Sequence, residues 1–349
     1  MNKQMLDKIS INIDNYLKDI VEGEKFSGAI LVSIKDEKVI SRGYGMANYE
    51  LDVLNTSKTK FRIGSVTKQF TAVAIMQLFE KGKLNLNDTL DKYISDYPKG
   101  DKVTIHHLLT HTSGIFNYTN IEGSVENTIR KKYSLEALIN EFKYAPYDFE
   151  PGTKYSYSNS GYVLLGYIIE KISNKSYEEY LKENVFDKLS MIDTGYDDYY
   201  KVIKKRASGY ELKGEEKRMI NCEFIDMSIP HAAGALYSTV EDLYIWNKAL
   251  IGGELISKES LKKIMDKHIN VKENDYYGYG VHLISEKLGG KVRERVDHSG
   301  IIPGFLASNE VFLEEDVQII MITNVPCEHF FKRTSKVRRI VFEEIDKRN

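Results

Sequence analysis

The sequence predicts an α+β fold. An antiparallel sheet assembled from both ends of the chain, and flanked by an N-terminal and a C-terminal helix, carries a mainly helical lobe inserted between its two parts. Three observations predict it. Short β-branched and aromatic runs cluster at the two ends of the 349-residue chain. The middle, roughly 67–250, is mainly helical in its apolar spacing. Both terminal segments also read as helices. The sheet lobe is expected to comprise residues 1–66 and 251–349 and the helical lobe 67–250, with an active site between them.

The elements follow in order. Leu6, Ile9, Ile13, Tyr16, Leu17 and Ile20 place one apolar stripe on a helix within 1–21. Strand-like runs at 28–34 and 38–43 flank Lys35-Asp36-Glu37 and predict a hairpin. A strongly apolar helix over 67–80 carries Phe70, Val73, Ala74, Met76, Leu78 and Phe79. Helical patterns recur at 104–109, 135–142, 162–172 and 240–250. Strands are predicted at 279–284, 292–297, 305–312 and 317–323, each short and bounded by glycine or charged turn residues. A helix over 330–346 closes the chain. No internal repeat and no low-complexity linker interrupts this order.

Composition narrows the function classes. Hydrophobic residues make up 42% and charged residues 29%, ordinary for a soluble globular protein. The net charge of −2 gives no reason to expect a nucleic-acid partner. The basic run 332–339 reads as a solvated helix face. Cys222 and Cys327 are too few for a disulfide framework and read as buried free thiols. Residues 1–21 lack the apolar core of a signal peptide, and no apolar run reaches membrane-spanning length. A chain that begins in this way is expected in the cytoplasm; a removed leader would place it outside the cell or in the envelope. There is no His-Glu-x-x-His, no Cys-x-x-Cys, no phosphate loop, no dinucleotide fingerprint and no Gly-x-Ser-x-Gly, so neither metal nor cofactor is expected. His106-His107 reads as part of a core helix and Trp246 as a packing residue.

Three short motifs carry chemistry. Ser65-Val66-Thr67-Lys68 opens the apolar helix. At that spacing a hydroxyl and an ammonium share one helix face, and the positive end of the helix dipole disfavours a protonated lysine. A lysine that gives up its proton easily can activate a serine. Two further Ser-x-x-Lys matches are set aside by context: Ser57 lies in a polar loop, and Ser260 reads as a helix cap. Tyr157-Ser158-Asn159 sits in a turn just before the helix at 162. A tyrosine held near lysines can have a lowered pKa and shuttle protons, and Asn159 can bond both a lysine and a substrate amide. His298-Ser299-Gly300 follows the strand at 292–297. A polar side chain beside a glycine suits a substrate lying along a strand edge.

Taken together, these motifs resemble the serine β-lactamase and penicillin-binding protein superfamily, and most of all its class C-like branch of β-lactamases, DD-peptidases and esterases. The resemblance spans nearly the whole chain and includes residues 108–114, 151–166, 233–239 and 298–305. It implies a β-lactamase/transpeptidase-like fold and a serine hydrolase that works through an acyl-enzyme on an amide or ester. Ser65 would be the acylated nucleophile, Lys68 the acceptor of its proton, and Tyr157 the second acid/base group. Asn159 would orient Lys68 and the substrate amide. The N–H groups of Ser65 and Ile301 would form the oxyanion hole, with His298 and Gly300 beside the bound substrate. His111 would be structural. The implied substrates are small molecules or short peptides, with β-lactams as candidate ligands; carboxylesterase or amidase activity and non-turnover penicillin binding are the alternatives.

The chain departs from the pattern in its third motif, where the efficient class C enzymes have lysine. A histidine there is only partly charged at neutral pH, and Ile301 supplies no hydroxyl. Weak penicillin turnover is therefore expected. Pocket walls are expected from the loops 117–128 and 197–218, with Tyr118, Tyr196, Tyr199, Tyr200 and Tyr210 as candidates.

Overall fold

Lys35 and Asp36 both adopt positive φ, 47° and 66°, and their two-residue turn folds β1 (Gly28–Ile34) onto β2 (Glu37–Tyr44). The computed structural model describes residues 3–24, 26–121, 130–327 and 329–347. Six later strands join the hairpin: β3 (Ile269–Lys272), β4 (Asp275–Tyr277), β5 (His282–Leu288), β6 (Lys291–Ile302), β7 (Phe305–Phe312) and β8 (Val317–Thr323). Among the described residues they form one eight-stranded sheet in the order β3-β4-β5-β6-β7-β8-β1-β2, antiparallel at each pairing. The last strand thus pairs with the first, which is how both chain ends come to build one sheet.

Every residue of β1, β7 and β8 is buried, because both sheet faces are covered. Alternation divides them. Ile30, Val32, Leu306, Ile319 and Met321 face a core shared with α1 (Lys3–Glu24), in which Ile9, Ile13 and Leu17 take part. The C-terminal helix Phe330–Asp346 packs on the same side through Val337, Val341 and Phe342. Ala29, Leu31, Ala307, Ile320 and Ile322 face a second, larger core that continues into the helical part. There α2 (Thr67–Glu80) is buried on all sides, and Phe70 stacks on Trp246 of the helix Val240–Gly252 at 3.8 Å between ring centroids. Gln69 links this layer to the sheet: its Oε1 accepts from Trp246 Nε1 (3.0 Å) and Asn309 Nδ2 (3.1 Å).

The structure differs from the sequence reading in several places. The strand expected at 279–284 is instead β4 followed by β5, because Gly278 and Gly280 (φ 71°) turn the chain against the Lys68 carbonyl. The strand expected to stop at 297 runs to Ile302, since β7 continues to pair with it after β5 has ended. The helix expected from 162 begins at Asn159. Ser257, not Ser260, caps the helix Lys258–Met265. His106 and His107 are half-buried rather than core. The run 332–339 is not wholly solvated: Arg338 turns inward and its Nη1 meets Glu310 Oε1 at 2.7 Å. Cys222 and Cys327 are free but half-buried. Among the described residues no helix is long and apolar enough to cross a membrane.

Candidate active site

Gly64 (φ 49°) breaks from the short strand Phe61–Arg62 into a single 3-10 turn, Gly64–Val66, which runs directly into α2. Ser65 therefore stands one turn ahead of the α-helix rather than within it, with Lys68 in the first turn of α2. The two side chains meet, Lys68 Nζ lying 3.0 Å from Ser65 Oγ. Two further acceptors hold the amine: Asn159 Oδ1 at 2.9 Å and the Ala233 carbonyl at 2.7 Å. Lys68 has no exposed surface, and burial holds its pKa well below the ordinary lysine value. In the neutral form, the two N–H groups satisfy Asn159 and Ala233. The lone pair then faces Ser65, whose hydroxyl can donate to it. The sequence reading assigned this role to the helix dipole; burial is the principal cause.

The Tyr157 ring lies beside the same amine, its centroid 4.7 Å from Lys68 Nζ, which brings a phenol into the cluster formed by Ser65 and Lys68. Burial raises the Tyr157 pKa, and the neighbouring Ser65 offsets this only in part. This reverses the lowered pKa expected from nearby lysines: burial of the phenol is the largest cause. His111, at positive φ (58°), sets the tyrosine loop on both flanks. Its carbonyl accepts from Ser156 N (2.9 Å) and its Nδ1 from Ser158 N (3.1 Å). Asn159, the first residue of the helix Asn159–Ser173, is fixed through its own N–H by Asn117 Oδ1 at 3.1 Å.

His298 does not face the cavity. It is 2% exposed and both its ring nitrogens are occupied. Nδ1 meets the Ser299 carbonyl at 2.7 Å, and since a carbonyl only accepts, the proton is on Nδ1. Nε2 is then an acceptor, and the Tyr277 hydroxyl must donate to it (3.1 Å). The Tyr277 oxygen in turn accepts from His111 Nε2 (3.2 Å), which leaves His111 Nδ1 free to take the Ser158 N–H. One set of protons satisfies the whole chain, and it leaves both imidazoles neutral. Burial, reinforced by neighbouring basic groups, pushes both below the ordinary histidine value. The partly charged, substrate-facing histidine expected from sequence is therefore corrected to a buried neutral one.

Gly300 and Ile301 do reach the serine. They lie on the part of β6 beyond its pairing with β5, where the strand has a neighbour on one side only. A Cβ on Gly300 would sit 1.9 Å from the Ile63 carbonyl oxygen and 3.2 Å from the Ser65 nitrogen. One on Gly64 would sit 2.9 Å from the Ile301 nitrogen. Glycine at both positions thus lets two backbones touch. The adjoining cavity encloses about 250 Å³ and is lined by Ser65, Asn159 and Ile301 together with mostly apolar walls. Tyr118 and Ile121 come from the expected loop 117–128, whose residues 122–128 lie outside the described residues. The loop 197–218 does not line the cavity among the described residues; Ile225, Ile229 and Pro230 take its place. Of the five candidate tyrosines only Tyr118 is at the wall.

The family model for Beta-lactamase matches residues 13–340. The chain belongs to the Beta-lactamase family. PbpX of Bacillus subtilis (strain 168) is 30% identical to this Beta-lactamase family chain over 313 residues, covering 90% of this chain and 73% of PbpX. The penicillin binding protein from Bacillus halodurans is 29% identical and superposes with a TM-score of 0.81 over 96% of this chain and 99% of that one. The D-amino acid amidase from Ochrobactrum anthropi SV3 complexed with L-phenylalanine amide shares the fold, with a TM-score of 0.84 at 24% identity over 97% of this chain and 99% of that one. The fold is thus β-lactamase/transpeptidase-like, as the motifs implied.

Two participants were not identified from sequence. The Ala233 carbonyl fell in a block cited for its resemblance, but a backbone acceptor has no side-chain signature. Tyr277 is one of 24 tyrosines with no local pattern to mark it. Among the described residues no group of three or more His, Cys, Asp or Glu is placed to hold a metal ion.

Proposed function

We propose that this protein is a serine hydrolase that cleaves an amide or ester through an acyl-enzyme on Ser65. One observation carries the reading: the buried Lys68 amine lies 3.0 Å from Ser65 Oγ, with the Tyr157 ring centred 4.7 Å from the same nitrogen. Burial lowers the Lys68 pKa and raises that of Tyr157, which favours an amine base beside a phenol acid, the pairing acyl transfer requires.

In this reading Ser65 Oγ attacks the substrate carbonyl as its proton passes to Lys68 Nζ. The N–H groups of Ser65 and Ile301 receive the developing oxyanion, and donors of this kind are worth about 10²–10³ each in rate. As the bond to the leaving group breaks, Tyr157 supplies the departing nitrogen or oxygen with a proton and recovers one from Lys68. The net transfer is from serine to leaving group. For deacylation a water gives its proton to the same pair, attacks the ester carbonyl, and releases the acid with Ser65 restored. Asn159 keeps Lys68 in place through Oδ1 and offers Nδ2 to the substrate amide. Tyr277 and the two histidines act at one remove, as positioning residues for the tyrosine loop and the β6 edge. The names of its relatives, a penicillin binding protein and an amidase, support amide chemistry of this kind.

The test is intact mass together with hydrolysis of p-nitrophenyl acetate and a penicillin, on wild type and Ser65→Ala. A serine-dependent acyl adduct is expected, with penicillin turnover slow. Hydrolysis that survives in Ser65→Ala would refute the assignment.

A further inference from the structure

The loop 197–218, which does not reach the serine cavity, lines a second one. This cavity encloses about 520 Å³, within the roughly 300–1,000 Å³ that small ligands occupy. Lys201, Val202 and Arg206 of the loop form part of its wall, with Arg62, Phe224 and Phe305. Among the described residues the two cavities share no lining residue.

Two guanidinium groups stand in the wall, held by one carboxylate. Asp197 has no exposed surface. Its Oδ2 accepts from Arg62 Nε at 2.7 Å and its Oδ1 from Arg206 Nη1. Two cations on one anion leave a positive charge. They also leave donors. Nη1 and Nη2 of Arg62, and Nε and Nη2 of Arg206, have no acceptor among the described residues, and none of the four is shut away from solvent. The Arg62 side chain is only 11% exposed, so the little surface it keeps is the part that lines the cavity.

The other charges do not fill this place. Lys201 is taken up by both oxygens of Glu178, at 2.6 and 2.5 Å. Glu223, the one acid on the described wall, is exposed, and its charge is screened by water. The rest of the wall is largely apolar. Arg62 Cζ lies 6.0 Å from the centre of the Phe305 ring, and Phe224 packs edge-on against Tyr199 with 5.1 Å between centroids. Fixed guanidinium forks match the planar or tetrahedral oxygens of an oxyanion, and the aromatic wall suits an apolar body attached to it.

We infer that this cavity is an anion-binding site, separate from the serine, for a small molecule that joins a carboxylate or phosphate group to an apolar body. The oxyanion meets Arg62 and Arg206, and the body lies against Phe224 and Phe305. The site adjoins the reacting centre through the main chain. Arg62 runs into the Gly64–Val66 turn, and Phe305 opens β7, paired with Ile302 of β6.

Titration calorimetry with benzoate, phenyl phosphate and the neutral benzamide tests it, on wild type, Ser65→Ala and Arg206→Gln. At least one anion is expected to bind with a dissociation constant of about a millimolar or below, and about tenfold or more tighter than benzamide. Which anion binds more tightly identifies the oxyanion. Arg206→Gln leaves Arg62 paired with Asp197 but removes the surplus charge, and should weaken binding about tenfold or more. Ser65→Ala should bind as wild type does. Urea unfolding checks the fold of Arg206→Gln. Should that variant not fold, Val202→Glu replaces a side chain that is 93% exposed and should weaken anion binding by repulsion at the same wall. Binding of neither anion, equal binding of benzamide, or loss of binding in Ser65→Ala overturns the inference. So does unchanged affinity in a folded Arg206→Gln or, in its place, in Val202→Glu.

Discussion

Replacing Lys68 by methionine should abolish activity while making the fold less sensitive to pH on the alkaline side. Burial lowers the Lys68 pKa well below 10.5 in the folded state, whereas the unfolded chain titrates near 10.5. Between those two values the unfolded state binds one proton more than the native state. Wild-type stability therefore rises with pH across this window, by about 1.4 kcal/mol per unit where the unfolded lysine is fully protonated. The gain accumulates through the part of this window below about pH 10.5, where the unfolded lysine still holds its proton. Lys68→Met lacks this term. It also strands the Asn159 and Ala233 oxygens, at about 1–3 kcal/mol each, but that cost is independent of pH and cancels from the slope. Urea unfolding followed through Trp246, the single buried tryptophan, reads both proteins. The wild-type advantage should grow, or its deficit shrink, as pH rises through that window. A difference that stays flat would mean that Lys68 is charged in the folded state, and the resting-base mechanism would fail with it.

Other consequences follow from the same geometry. Tyr277→Phe removes the hydroxyl that joins His298 to His111; we expect a loss of about 1–3 kcal/mol in unfolding free energy and a fall in kcat larger than any rise in KM. ¹⁵N shifts of the two histidines would report the lost tautomer lock, and unchanged shifts would contradict the proton assignment. Gly300→Ala should reduce p-nitrophenyl acetate hydrolysis by about a hundredfold or more, since the new methyl would collide with the Ile63 carbonyl and push the β6 edge from Ser65. Wild-type kinetics in that variant would show that the edge is not an oxyanion donor. Toward acid, kcat/KM should fall as the lowered Lys68 pKa is crossed, because protonation removes the base; a profile that rises toward acid would contradict the assignment.

Much of this was legible in the sequence, for physical reasons that can be named. The hairpin turn, the short β-branched and aromatic runs that became β7 and β8, and the terminal helix are local patterns, and their limits were read closely. Ser65 and Lys68 are three residues apart, so a single helical turn brings them together whatever the rest of the fold does. Other parts depend on distant partners. The strand carrying His298 was read as ending at 297 because its continuation depends on pairing with β7, which local composition does not reveal. The charge on His298 was misjudged because burial and the Tyr277 hydroxyl decide it, and Tyr277 lies 166 residues from His111, the other end of its hydrogen bonding. The tyrosine pKa was reversed for a related reason: burial of the phenol decides it, and burial depends on distant packing partners.

The contact between Gly64 and Gly300 has a further consequence. No side chain takes part where the serine turn meets the strand edge; main chain rests directly on main chain. The spacing of the two N–H groups is therefore inherited from the path of the backbone, not from the identity of neighbouring residues. Ile301, Ile225 or Leu138 could be exchanged for residues of quite different size without displacing that pair. On the proposed hydrolase reading, such a design separates the chemistry from the choice of substrate, so that preference can drift across the cavity wall while the serine turn is held by two residues that have no side chain to mutate gently.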